Sequence, residues 1–302
     1  MEPLTTLDNL KRRSALLRAV RDEFYAEGFF EVTTEVKIPA PAPEEYIESL
    51  TCGKEFLRSS PELAMKRLLC GGADKIFQIG PAFRAGEYGR KHREEFTIME
   101  YYSIDWDYRK LAEFTAKMLK NIAEKICGRP EVMYKGRGID FTTPSYITVD
   151  EAFRRYAGVS AFEADKNDTF DELMVLKVEP ELGKNGPEFL IDYPASRASL
   201  ARLSGDDQRV AERWELYICG IELGNAFGEL TDAFEQRRRF EAALKFRAEQ
   251  GMLAYPEAAD FLEALESGMP ESSGCAIGFD RLAMIFCGAE DISEVIFESV
   301  RA

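Results

Sequence analysis

Several short stretches gather residues able to hold charge where charge is moved. The first, "FRAGEYGRKHREEFTIMEYY" (residues 83–102), places Arg84, Arg90, Lys91, His92 and Arg93 ahead of an alternating run. That run ends Glu100-Tyr101-Tyr102, and His92 is the only histidine in the chain. If the run is a strand, Phe96, Ile98, Glu100 and Tyr102 share one face. At ~3.3 Å per residue, Phe96 and Glu100 then stand roughly 13 Å apart. A flat ring over Phe96 and a cationic tail at Glu100 would suit that face. Arg84, on the preceding strand, could reach an anionic group between them with its planar fork. A half-buried hairpin with solvated loop charges fits the same residues.

The second stretch is "GIELGNAFGELTD" (residues 220–232), in which Glu222, Asn225 and Glu229 interrupt an apolar, glycine-bearing run. Burying a carboxylate there costs free energy unless a cation, a metal or a donor meets it. Two of them point to Mg²⁺, an ammonium-bearing substrate, or both, since Mg²⁺ takes hard oxygen ligands and shares its shell with phosphates. An ordinary strand leading into an acidic helix start, with Glu229 favouring the helix dipole, is the plainer alternative. In the third, "GCAIGFDRL" (residues 274–282), small residues at Gly274, Ala276 and Gly278 admit a ligand close to the backbone. Arg281 follows near a helix N-terminus, where backbone donors already favour an anion. The fourth is Glu62 in "SSPEL", which the helix dipole alone would stabilise.

The elements that must position these residues are readable in outline. Helical spacing of Leu10, Leu16, Leu17, Val20, Phe24 and Tyr25 predicts a helix over residues 8–27, ended by Gly28. "FFEVTTEVKI" (29–38) reads as one strand, followed by a proline-rich loop. "SSPELAMKRLLCGG" predicts a short helix with Ser60 as N-cap, Pro61 at its first position and Gly71 as its stop. Residues 75–84 and 94–102 read as strands joined by the cationic loop, and an amphipathic helix follows over 108–126. Signals between 128 and 184 are short and irregular, consistent with a connector and a small inserted helical subdomain at about 146–185. "EFLIDYP" and "RWELYICGIEL" read as strands, residues 231–250 and 256–267 as helices, and the end as a glycine-punctuated strand feeding a helix. This order favours an α+β fold, a mainly antiparallel sheet flanked by helices.

Composition narrows the chemistry. The chain of 302 residues has 45% hydrophobic residues, enough for a substantial core. A net charge of −15 works against nonspecific nucleic-acid binding and suits a basic protein or a small cation as partner. The six cysteines show neither CxxC pairs nor histidine spacing for zinc, and read as reduced thiols of a cytoplasmic protein. No run approaches the ~18 apolar residues of a membrane span, so no membrane association is expected.

Taken in order, "FRAGE…HREEFTIMEYY", "GIELGNAFGELTD" and "GCAIGFDRL" resemble the class II aminoacyl-tRNA synthetase catalytic core, and its lysyl branch most closely. The resemblance runs from "GFFEV" to the C-terminus. Only about 28 residues precede it, with no room for the anticodon-binding domain of a lysyl-tRNA synthetase. The chain therefore resembles the truncated lysyl-synthetase paralogues that attach (R)-β-lysine to elongation factor P, and is expected to be one catalytic domain over 1–302.

That resemblance implies an ATP-dependent ligase with Mg²⁺ as cofactor, forming an aminoacyl-adenylate from β-lysine or lysine. Arg84 corresponds to the arginine at the α-phosphate, Arg281 to the one at the γ-phosphate, and Gly278 lies beside the nucleotide. His92 and Arg93 correspond to loop positions near the distal phosphates, and Phe96 to the adenine-stacking residue. Glu222 corresponds to the Mg²⁺-holding carboxylate, with Leu223 beside it. Ser60, Pro61 and Glu62 correspond to the segment meeting the substrate's amino end. Glu100, Tyr102 and Glu229 correspond to the surroundings of the side-chain ammonium, with Asn225 nearby, and Ala276 stands where the ligase group has alanine rather than glycine. A homodimer and elongation factor P as acceptor are implied in the same way, and tRNA is disfavoured.

Three positions depart from the pattern. Gly86 replaces the glutamate that contacts the adenine amine; Glu87 is adjacent, and its direction serves that contact only if the loop shifts. Arg93 replaces an asparagine, and Glu35 replaces the proline of the first motif. A truncated lysyl-adenylate former acting on tRNA or another amine, and a non-catalytic regulatory paralogue, are the alternatives.

Overall fold

The alternating runs before and after the cationic loop form the longest strands. The structure, a computed structural model, describes residues 5–298. After the short β1 (Phe30–Glu31) come β2 (Lys75–Phe83) and β3 (Glu95–Ile104). Then follow β4 (Ser145–Thr148), β5 (Glu188–Pro194), β6 (Val210–Ile218), β7 (Ile221–Gly228) and β8 (Ser272–Gly278). They make one eight-stranded sheet in the order β1-β2-β3-β8-β7-β6-β5-β4. Parallel pairing is confined to its two edges, β1 with β2 and β4 with β5. Every other neighbour is antiparallel, as the order of elements in the sequence implies.

Six longer helices cover the sheet: α1 (Leu7–Ala26), α2 (Glu62–Cys70), α3 (Tyr108–Cys127), α4 (Ala233–Glu249), α5 (Ala259–Glu266) and α6 (Phe279–Cys287). Helix α1 starts where Thr6 accepts a hydrogen bond from Asn9 N, and α3 starts at Asp107 and stops at Gly128 with φ of 71°. Helices α1, α3 and α6 bury Phe24, Leu119 and Ile285 against Phe77, Met99 and Tyr101 of the sheet. Each such side chain contributes about 1.5–3 kcal/mol by leaving water. Helices α2, α4 and α5 cover part of the opposite face, where Met65, Leu69, Phe240 and Phe261 pack with Ile76 and Tyr102. The two-residue period of β3 does the sorting: Met99 and Tyr101 enter the large core while Ile98, Glu100 and Tyr102 face the other way.

Between β4 and β5 short helical pieces run from Val149–Ala152 to Glu179–Glu181 around Phe153, Phe170 and Val178. Residues 145–148, at the start of the segment read as a helical insertion, are strand β4 of the main sheet.

Three local expectations need correcting. The run 29–38 is broken into β1 and a second piece, Lys37–Ile38, in a separate three-stranded sheet. Side chains replace the ladder at the break: Thr34 N donates to Gln78 Oε1, and the buried Arg58 donates to the Thr34 and Glu35 carbonyls. The run 213–223 is a hairpin rather than one strand, reversing at Cys219 and Gly220 with φ of 52° and 66°. Helix α2 starts at Glu62 with Pro61, not Ser60, at the cap position. Ser60 Oγ instead accepts from Glu62 N and donates to Glu100 Oε1 across the face of the sheet.

Candidate active site

Pairing register lines up one row of side chains across five strands: Gln78, Glu100, Ala276, Asn225 and Glu215 are successive cross-strand partners. Neighbouring strands lie about 4.8 Å apart, so the polar members of this row are held side by side by the backbone itself. The next row carries Tyr102, Gly274, Phe227 and Arg213. These rows floor a cleft of about 1130 Å³. Its walls are the loop around Glu44, the cationic loop, the helical pieces before β5, and α4.

Sixteen sequence-identified residues line this one cleft: Ser60, Glu62, Arg84, Glu87, His92, Arg93, Phe96, Glu100, Tyr102, Glu222, Leu223, Asn225, Glu229, Ala276, Gly278 and Arg281. Pro61 does not; it is buried and turns the chain into α2.

One end of the cleft is cationic. The Arg84 guanidinium lies over Phe96, 5.1 Å from the ring centroid, and 3.8 Å from Glu87. Its Nε is buried without a partner among the described residues, an unspent donor. Arg281, in the first turn of α6, donates to the Glu222 carbonyl (2.9 Å) and to His92 Nε2 (2.6 Å). Burial and the Arg281 charge lower the His92 pKa, so the imidazole is neutral near pH 7 and accepts at Nε2. Helix α6 is itself fixed by buried Asp280, which accepts from Thr97 N and from Arg13. Arg93 is spent locally: its guanidinium stacks 4.6 Å from the Tyr88 centroid, pairs with Glu298 and donates to the His92 and Gly89 carbonyls. Gly86 has φ of 76°, a left-handed position that explains a glycine where the family pattern has glutamate. Its N–H donates to Glu94, leaving Glu87 as the cleft-facing carboxylate of this loop.

The other end is anionic and dry. Glu100 is 1% exposed, accepting from Ser60 Oγ at 2.5 Å and Tyr102 OH at 3.1 Å. Burial, reinforced by the Glu62 charge, raises its pKa to about 8 against the two hydrogen bonds. Glu229 is equally buried, and burial raises its carboxyl to about 7 although Lys66 opposes the shift. Gly274 makes this corner possible, since a Cβ there would lie 2.1 Å from the Tyr102 ring and 2.6 Å from Glu229 Oε1.

Between the ends stands Glu222. Enclosure by the cleft and the Glu215 charge raise its pKa although its side chain is 40% accessible. A carboxylate pressed by a neighbouring carboxylate and open to the cleft suits a hard divalent cation sharing its shell with phosphates. Among the described residues no group of three or more histidine, cysteine or acidic side chains is arranged around one metal position.

A scan against protein families matches residues 4–298 to "tRNA synthetases class II (D, K and N)". The chain belongs to the class II tRNA synthetase family. Within it, the chain is 36% identical to the elongation factor P–(R)-β-lysine ligase of Pectobacterium atrosepticum, over 99% of this chain and 97% of that protein. It is 35% identical to the protein of the same name from an Enterobacter species, over 98% of this chain and 96% of that one. The resemblance read from the three motifs and the antiparallel α+β architecture both hold. Class II membership brings ATP-dependent ligase chemistry with it.

Several residues of this cleft escaped the sequence reading. Glu215 and Arg213, bonded at 2.5 Å, lie on β6 inside what read as a plain apolar strand, and Arg213 also donates to Asn225. Their alternation with Trp214 and Leu216, which face the large core, was the available signal. Glu44, whose carboxyl burial raises to about 7, comes from the proline-rich loop and had none. Lys66 lies four residues after Glu62 and reads from sequence as an ordinary helix-surface pair.

Proposed function

We propose that this protein is an ATP-dependent ligase that activates (R)-β-lysine or lysine as its adenylate and transfers it to a lysine side chain of elongation factor P. The observation carrying this is one cleft with Arg84 and Arg281 at one end and Glu62, Glu100 and Glu229 at the other. Phe96 supports the adenine, Arg84 holds the α-phosphate, and Arg281 with His92 meets the distal phosphates beside Glu87, Leu223 and Gly278, while Arg93, bonded to Glu298 and to the Gly89 and His92 carbonyls, shapes the loop that carries His92. Ser60 and Glu62, with Pro61 shaping the turn, receive the amino end of the substrate. Glu100, Tyr102, Asn225 and Glu229 receive its side-chain ammonium, and Ala276 sets the depth of the floor.

The substrate carboxylate oxygen attacks the α-phosphorus, a carboxyl–phosphate bond forms, and the bond to pyrophosphate breaks. Charge growing on the phosphate oxygens meets fixed guanidiniums, the form of stabilisation that phosphoryl-centred chemistry requires. Mg²⁺, when bound at Glu222 with Glu215 beside it, would supply further charge neutralisation on the phosphates. The acceptor amine then attacks the acyl carbon, a carbon–nitrogen bond forms, AMP departs, and the amine proton passes to solvent.

The names of the two relatives support elongation factor P as acceptor. The charge of −15 favours a basic protein acceptor over tRNA. We place the activity in the cytoplasm and in a homodimer, on a single catalytic domain with a helical insertion from Val149 to Glu181. No described helix is long and apolar enough to cross a membrane. Pyrophosphate exchange with ATP, Mg²⁺ and lysine or β-lysine, followed by mass analysis of elongation factor P, tests the reading. Exchange that charges only tRNA, or no exchange with either amino acid, refutes it.

A further inference from the structure

Lys66 does not line the cleft, yet it governs what the cleft presents. It projects from α2, is 1% exposed, and sets its Nζ 2.6 Å from Glu62 Oε1 and 2.6 Å from Glu229 Oε2. Burial works against its charge, but Glu229 and Glu62 more than offset this and raise its pKa, so the ammonium persists. The contact with Glu62 is an aligned hydrogen bond. Glu229 shares the same ammonium through Oε2, while its buried Oε1 has no partner among the described residues. Its carboxylate is held on one side by Lys66 and keeps one oxygen unspent in the cleft.

The charges at this end can be counted. Helix α2 contributes Glu62 and Lys66, and β3 contributes Glu100 with the neutral phenol of Tyr102. Glu229 adds a third carboxyl, with the neutral thiol of Cys275 behind it; Glu44 faces Glu62 and Lys66 from the opposite loop, and buried Arg58 acts on Glu100 while bonded to the Thr34, Glu35 and Pro81 carbonyls. Arg202 acts on Glu229 only from a distance, being committed to Glu212 and Glu271. Arg84 acts on Glu100 while lying over Phe96. The carboxyls of this end outnumber its cations, and burial keeps Glu100 and Glu229 largely protonated near neutral pH until further cations arrive. A diamino acid whose carboxylate is engaged at Arg84 brings two ammonium groups to meet these carboxyls.

We propose that Lys66 is a specificity-determining positioning residue: by bridging Glu62 and Glu229 and fixing Glu229 with an unspent oxygen, it tunes the pocket to a substrate with two cationic groups. This rests on the lysine-activating reading above. Lysine suits the task because its compact ammonium carries three donors for two oxygens. Without it, Glu229 holds its proton to higher pH and meets the substrate as a neutral carboxyl.

The test compares the wild type with Lys66→Met in amino-acid-dependent pyrophosphate exchange, using lysine and norleucine, which has the same carbon chain but lacks the distal ammonium. Lys66→Gln, which keeps donors but not charge, covers the case in which the methionine variant does not fold. Expected is a rise of at least 30-fold in KM for lysine with the ATP dissociation constant unchanged. The preference for lysine over norleucine falls at least tenfold, and the acidic limb of kcat/KM moves upward by about one pH unit. A folded variant with lysine KM within threefold of wild type and an unmoved acidic limb overturns the proposal. So does a loss shared equally by lysine, norleucine and ATP, which marks a purely structural lysine. Absence of exchange in the wild type with both lysine and β-lysine refutes the functional reading itself, a distinct result; where only β-lysine supports exchange, it replaces lysine in every arm of the comparison.

Discussion

Replacing Glu100 by glutamine separates what this carboxylate does for the fold from what it does for the site. In the free protein its pKa is raised from 4.5 to about 8, first by burial and then by the Glu62 charge. Because the folded value is above the unfolded one, the folded state binds the proton more tightly. Stability therefore falls as pH rises from 4.5 towards 8 and levels off above that. At about 1.4 kcal/mol per pKa unit, the penalty reaches about 4–5 kcal/mol at pH 8 and falls below about 1 kcal/mol at pH 5. Glutamine keeps the shape and removes the charge. It has one oxygen to accept from Ser60 and Tyr102 rather than two, a loss of about 1–2 kcal/mol. Glu100→Gln is thus expected to be more stable than wild type by about 2–3 kcal/mol at pH 8, with the gain vanishing or reversing at pH 5. Urea unfolding of the ligand-free protein at both pH values measures this, with unchanged m-values as the check that the transitions are comparable. The same variant is expected to lose lysine affinity at least ~100-fold, because a charge-assisted acceptor has gone. A variant that is less stable by the same amount at both pH values refutes the reasoning.

Other outcomes follow from the same geometry. Gly274→Ala forces a Cβ to within 2.1 Å of Tyr102 and 2.6 Å of Glu229, so lysine KM should rise at least ~10-fold while ATP affinity holds; isothermal titration with each ligand checks this. Arg281→Ala removes the hydrogen bonds to His92 and the Glu222 carbonyl, and pyrophosphate exchange should fall by about 100-fold or more with lysine binding retained. Chelation of divalent cations should abolish exchange, and re-addition of Mg²⁺ should restore it, without any change in the thermal melting of the ligand-free protein.

Much of the site was legible because strands encode it linearly. The two-residue period of β3 placed Phe96, Glu100 and Tyr102 on one face from sequence alone, and the cross-strand register then brought Ala276 and Asn225 alongside. Reversals were harder to read. The hairpin of β6 and β7 turns at Cys219, a residue without the side-chain hydrogen bonding that makes asparagine or aspartate a recognisable turn, so two strands read as one. The break after β1 was invisible for a related reason. Its β-branched residues favour a strand, and what ends the ladder is a glutamine and an arginine from elsewhere in the chain.

Lys66 marks the deeper limit. Four residues after Glu62 on a helix, it satisfies the spacing of a solvent-exposed ion pair, which contributes only about 0.3–0.5 kcal/mol and carries no functional meaning. Its significance comes from Glu229, delivered by the end of β7 far along the chain, and from the burial that this meeting imposes. Removing one partner from a buried charge cluster costs more than the cluster as a whole contributes, so such a group is a weak source of stability and a strong constraint on charge. A pocket built this way holds its carboxyls near 7 and 8 until a cation arrives. Binding a diamine must then expel protons, so lysine affinity should climb as pH rises from 6 to 8 and level off above it. Calorimetry in buffers of different ionisation enthalpy would read that proton release directly, and its absence would show that the carboxyls were already ionised in the free cleft.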